Sequence, residues 1–103
     1  MADHCVRVIL KFSDKAGTGE MVDALFDLEE KVMAAVEGHN NGAYDGNDIG
    51  IGEFTMYMYG PDADRLFDAI WPVLQASVLT KGGYVLKRYG PVEEDDKSIR
   101  VEL

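Results

Sequence analysis

The side chains able to do chemistry in this chain are few and scattered. Asp45, Asn47 and Asp48 offer hard oxygen ligands within four positions, at the start of and just before the glycine-rich stretch Gly46-Asn47-Asp48-Ile49-Gly50-Ile51-Gly52. A calcium loop of the EF-hand type needs an oxygen donor at its fifth position and a glutamate at its twelfth, where this chain has Ile49 and Met56. Gly50-x-Gly52 opens a dinucleotide-binding pattern, yet the third glycine is missing, the residues that follow alternate like a strand, and two carboxylates would repel phosphate. The stretch reads as a tight hairpin turn, with a ligand loop or weak cation contact at Asp45, Asn47 and Asp48 as the alternative.

His4, Cys5 and His39 are the only soft or borderline metal ligands, and they do not form the two closely spaced pairs of a structural zinc site. Cys5 is expected to be a partly buried sheet thiol. Ser13, Ser77 and Cys5 are the candidate nucleophiles, and none sits in a local signature that supplies a base and an orienting carboxylate. No complete catalytic, metal or cofactor set emerges. The expectation leans away from an enzyme and names no cofactor.

The elements that must position these residues follow from periodicity. Val6, Val8, Leu10 and Phe12 share one parity and Arg7 and Lys11 the other, as in a half-buried strand. Ser13 to Gly19 is turn-forming, with Thr18 placed to cap a helix from Glu20 to Glu37 whose apolar stripe is Met21, Leu25, Leu28, Val32 and Ala35, joined by Val36. Gly38 stands where a left-handed C-terminal cap is needed. A hairpin follows: a glycine-containing, acidic edge strand over about 42–48, a turn near Ile49 to Gly52, and an alternating strand in which Phe54, Met56 and Met58 oppose Thr55, Tyr57 and Tyr59.

Pro61 suits the first turn of a second helix with Ala63, Leu66, Phe67, Ile70 and Leu74 on its apolar face, Pro72 as a kink and an end near Ala76 or Ser77. Trp71 is read as packing beside that kink. Two strands close the chain, 84–89 and 98–103, around the acidic run Glu93-Glu94-Asp95-Asp96, which reads as a solvated loop. Both parities of 84–89 mix apolar and basic residues, so its buried face stays open, as does the placement of the last strand. The order β-α-β-β-α-β predicts a single α+β domain over 1–103, a ferredoxin-like sheet with two helices on one face plus an added C-terminal strand.

Composition narrows the partners. With 19 acidic against 10 basic residues the formal net charge is −9, a field that repels nucleic-acid phosphates and anionic membrane surfaces and favours neutral or cationic partners. A single cysteine excludes an internal disulfide, and neither a signal-peptide pattern nor an apolar run of ~18 residues is present, so the chain is read as cytoplasmic and without a membrane anchor.

The segment Tyr44-Asp45-Gly46-Asn47-Asp48-Ile49-Gly50-Ile51-Gly52-Glu53, continuing through Tyr57-Met58-Tyr59-Gly60-Pro61-Asp62-Ala63-Asp64, Ile70-Trp71-Pro72-Val73-Leu74 and Arg88-Tyr89-Gly90-Pro91, resembles small bacterial proteins of unknown function with a ferredoxin-like fold. The resemblance spans roughly the C-terminal two-thirds. It implies that fold and a bacterial cytosolic origin, and it carries over no functional residue.

The most informative expectation concerns the sheet face opposite the helices, where Arg7, Ile9 and Lys11 would neighbour Thr55, Tyr57 and Tyr59. The expected function is a non-catalytic interaction or regulatory module working through this face or the acidic edge, the face joining a second copy in a homodimer, with a protein partner, a small-ligand-binding or enzyme pocket of Tyr57, Tyr59, Arg7 and His4, and an RNA-stacking platform as alternatives. RNA is disfavoured by the net charge and by the absence of the glycine-aromatic signature of RNA-recognition domains.

Overall fold

The computed structural model describes residues 4–12, 19–38, 42–50, 52–90 and 98–103, with the backbone alone for 19–21. Strand β1 (His4–Lys11) leads to helix α1 (Gly19–Glu37). The hairpin β2 (Ala43–Gly50) and β3 (Glu53–Gly60) follows, then helix α2 (Ala63–Gln75), a single 3-10 turn (Val78–Thr80), β4 (Tyr84–Arg88) and β5 (Ile99–Glu102). The five strands form one antiparallel sheet in the order β2-β3-β1-β4-β5.

The parity read in the sequence is the parity of the core. Val6, Val8 and Leu10 of β1 and Phe54, Met56 and Met58 of β3 are fully buried against Leu25, Leu28, Val32 and Val36 of α1 and Ala63, Leu66, Ile70 and Leu74 of α2. Val85 supplies β4's share, directly opposite Val8. Both helices therefore cover one face of the sheet.

The hairpin turn is tighter than expected: β2 runs on to Gly50, and Gly52 takes the left-handed backbone, φ 75°, that the turn requires. Helix α2 starts one step later than the sequence suggests. Asp62, in extended conformation, is its cap and accepts from the amides of Asp64 and Arg65, which leaves Pro61 outside the helix. Pro72 lies within α2, and the helix continues past it to Gln75. The Leu74 carbonyl near its C-terminus is met by Thr80, whose buried hydroxyl lies 2.9 Å from it and shares its single proton with the Ser77 carbonyl, 3.0 Å away at the start of the 3-10 turn.

Gly38 is absent from the glycines with positive φ; its amide continues the helical bonding to the Ala34 carbonyl at 2.8 Å, so the expected left-handed cap is not formed there. The structure also places what the sequence left open. Tyr84, Leu86 and Arg88 turn to the open face and Val85 and Lys87 to the helix face, and β5 joins the sheet beyond β4 as an edge strand. Thr18, Ser13, His39, Ile51 and the run Glu93 to Asp96 lie outside the described residues.

Candidate functional site

The face opposite the helices is built on β1, the middle strand. Pairing sets Arg7 against Tyr57 on one side and Leu86 on the other, Ile9 between Thr55 and Tyr84, Cys5 between Tyr59 and Arg88, and Lys11 against Glu53. Directly paired residues share a face, so all six residues singled out in the sequence, Arg7, Ile9, Lys11, Thr55, Tyr57 and Tyr59, meet on one surface. Beta4 and β5 enlarge it with Tyr84, Leu86, Arg88, Arg100 and Glu102. No helix or strand among the described residues lies over it.

Small groups on this face are sheltered by tall ones. Cys5 is 1% exposed and Ile9 6%, while Arg7, Tyr57, Tyr59, Tyr84 and Leu86 are half-buried around them. The Arg88 guanidinium is itself buried and donates through Nε to the Gly90 carbonyl at 2.8 Å. Tyr59 is hydrogen-bonded to the Cys5 thiol, and burial, with further contributions from Cys5 and the Asp45 carboxylate, pushes its phenol above the ordinary tyrosine range against the opposing pull of Arg88. At neutral pH Tyr59 is therefore a protonated phenol, able to donate a hydrogen bond and unsuited to act as a base.

At the far side the Arg100 guanidinium stacks on the Tyr84 ring, 3.7 Å from its centroid, and pairs with Glu102. Lys11 approaches the same ring at 5.9 Å and pairs with Glu53 at 3.7 Å. The result is a surface of aromatic rings with basic groups laid over or between them.

Other sequence candidates do not converge on it. Asp45, Asn47 and Asp48 lie on the edge strand β2 and not in a loop, and the register shift between Tyr44 and Gly46 splits them between faces. Asp48 pairs with Thr55 on the open side, whereas Asn47 turns toward α1, where its amide donates to Glu29 at 2.6 Å, beside the Tyr44 hydroxyl that bonds the same carboxylate. Among the described residues no group of three metal-ligating side chains forms.

His4 faces the helices and cannot join a pocket with Tyr57 and Tyr59. Its Nδ1 accepts the Ala63 amide at 2.9 Å, so the imidazole caps α2, and its ring meets Tyr89 edge-on. Tyr89 and Lys87 in turn hold Asp64 at 2.6 and 3.2 Å, a network that ties the start of α2 to the end of β4. Ser77 caps the 3-10 turn through Leu79, and Trp71 packs on Phe67 with ring centroids 5.0 Å apart. These roles are structural.

Sequence reasoning missed Tyr84 and Arg88 because both parities of their strand mix apolar and basic residues, and Arg100 because the place of the last strand in the sheet was open. One available signal was a basic and an aromatic residue on the same parity of a strand, Tyr84 with Arg88, spaced as Arg7 and Lys11 are on β1. Compared with family models, curated proteins and solved structures, the chain matches none of them.

Proposed function

We propose that this protein is a non-catalytic interaction module of ferredoxin-like build, acting as a homodimer through its open sheet face. The fold reading is supported by the first four strands, which stand in the order β2-β3-β1-β4 with both helices on one face; β5 is an addition at the edge.

The observation that carries the functional reading is a division of charge between layers. The two helices contain eight acidic and two basic residues, whereas the five strands contain four acidic and five basic. The face holding Arg7, Tyr57, Tyr59 and Tyr84 is thus the part of a strongly acidic chain where a second copy meets little repulsion. Aromatic and arginine side chains are also the types enriched at interface centres. Three strands of 8 residues and two of 5 and 4, ~4.8 Å apart and rising ~3.3 Å per residue, present on the order of 500 Å² of projected area per copy, and accessible area exceeds projection, which brings the pair near the ~1,200 Å² of the smaller specific interfaces.

Light scattering coupled to gel filtration, run over a concentration series, tests this. The reading expects about twice the chain mass of 11.4 kDa, falling to the single-chain value in Tyr57→Glu. A monomer at every concentration, or a dimer indifferent to Tyr57→Glu, defeats it. In the second reading, a ligand site, Arg7 holds an anion beside the protonated Tyr59 phenol; it rests on their shared face and would show as a saturable carboxylate or phosphate titration of the monomer.

A further inference from the structure

A groove of about 610 Å³ opens in the other layer, between the N-terminal half of α1 and the C-terminal end of α2. Its described walls are Ala24 and Leu28 of α1 and Val73 of α2, continued by Val78 and Leu79 of the 3-10 turn. Val78 is 89% exposed, an apolar side chain held almost wholly in solvent at the groove's edge. The small side chains of Ala24 and Ala76, which also line it, leave the space between the helices unfilled.

Asp27 and Lys31 line the groove on the α1 side, and Asp23, one turn before Asp27, and Glu30 are exposed beside them on the same helix, three carboxylates to one cation. An apolar trough between helices, flanked by carboxylates, is complementary to an amphipathic helix with one apolar stripe and basic flanks. We infer that this groove docks a basic amphipathic helix of a partner protein, its apolar stripe on Leu28, Val73, Val78 and Leu79 and its Lys or Arg side chains toward Asp23 and Asp27. The site is independent of the sheet face, which lies on the opposite side of the molecule.

The test is fluorescence anisotropy with two labelled peptides of about four helical turns that share one leucine stripe, one with lysine and one with glutamate at its polar positions. The full-length protein is expected to bind the lysine peptide saturably and not the glutamate peptide. Asp23→Asn with Asp27→Asn should weaken binding roughly fivefold, while Asp45→Asn with Asp48→Asn, the same charge change on the far edge strand, leaves it within about twofold.

Ala76→Trp, at an exposed position, should fill the trough and abolish binding, and Val78→Ser should weaken it without touching the core. Equal binding of the two peptides, equal effects of the two aspartate pairs, or insensitivity to both Ala76→Trp and Val78→Ser would each overturn the assignment. Tyr57→Glu, which tests the sheet face, is expected to leave peptide binding unchanged.

Discussion

Gly83 is a position where a single added carbon should cost stability out of proportion to its size. It enters β4 beside the middle strand, donates its amide to the Thr80 carbonyl at 2.9 Å and accepts from the amide of Leu103 at 3.0 Å. A β-carbon there would lie 2.5 Å from the Ile9 carbonyl oxygen and 3.2 Å from both the Thr80 carbonyl and a Leu10 methyl. Two of those three neighbours are backbone, which cannot rotate away, so relief requires moving β4 off β1. Overpacking of this kind costs about 1–3 kcal/mol; with a urea slope of roughly 1.5 kcal/mol/M, Gly83→Ala should lower the midpoint by about 0.7–2 M. Gly50→Ala is the matched control, because nothing stands within 4 Å of its added carbon and its φ is ordinary; it should be neutral or slightly stabilising. Urea titrations followed by tryptophan fluorescence and circular dichroism read both variants. Equal midpoints for Gly83→Ala and the parent would refute the claim that the β1–β4 approach is closed at this point.

Met58→Ala removes a fully buried side chain between β3 and the helices and should cost about 3 kcal/mol, a fall in melting temperature on the order of 15 °C by calorimetry. Cys5, 1% exposed, should react with a thiol reagent only as fast as the fold opens, so its rate should rise with sub-denaturing urea; a fast, urea-independent reaction would contradict its burial. The Tyr89 hydroxyl, then the Lys87 ammonium, hold the Asp64 carboxyl below its ordinary range. A pKa depressed by folding stabilises above the unfolded value near ~4 and loses that contribution as pH falls through the folded value. The midpoint difference between the parent and Asp64→Asn should therefore be small at neutral pH, Asp64 being well exposed, and vanish in acid; a difference that grows on acidification would show the sign is wrong.

Much of this fold was legible because one strand face and one helix stripe each separate cleanly. Val6, Val8 and Leu10, Phe54, Met56 and Met58, and the α1 and α2 stripes all announce a buried side, and Arg7 and Tyr57 announce its reverse. Beta4 was illegible for a reason seen in Lys87. It occupies a core-side parity near the strand's end, where its ammonium lies over the Phe67 ring, 4.6 Å from the centroid, and reaches the exposed Asp64 carboxylate at 3.2 Å. A lysine that reaches out in this way defeats any rule that equates charge with the open face. His4 misled differently. As an imidazole beside a cysteine it resembles a ligand, yet its partner is the Ala63 amide, 59 positions away, and only the folded chain brings them together. Asp45, Asn47 and Asp48 look clustered until the irregularity at Gly46 sends Asn47 to α1 and Asp48 to the open face, because strand residues alternate and a bulge resets the count.

The division of charge between layers bears on how copies would meet. If two copies stack sheet to sheet, a twofold axis in the interface plane turns both helical layers outward. With sheets ~10 Å apart and helices about 10 Å behind each, the two acidic layers are roughly 30 Å from one another, several times the ~8 Å screening length in physiological salt. Repulsion between them is then largely extinguished. Stacking through the helices would instead press eight carboxylates of one copy onto eight of the other, with two cations on each side to offset them. The same arithmetic leaves the α1–α2 groove facing solvent in the sheet-to-sheet dimer, so that self-association and the docking of a cationic helix use opposite surfaces and need not compete.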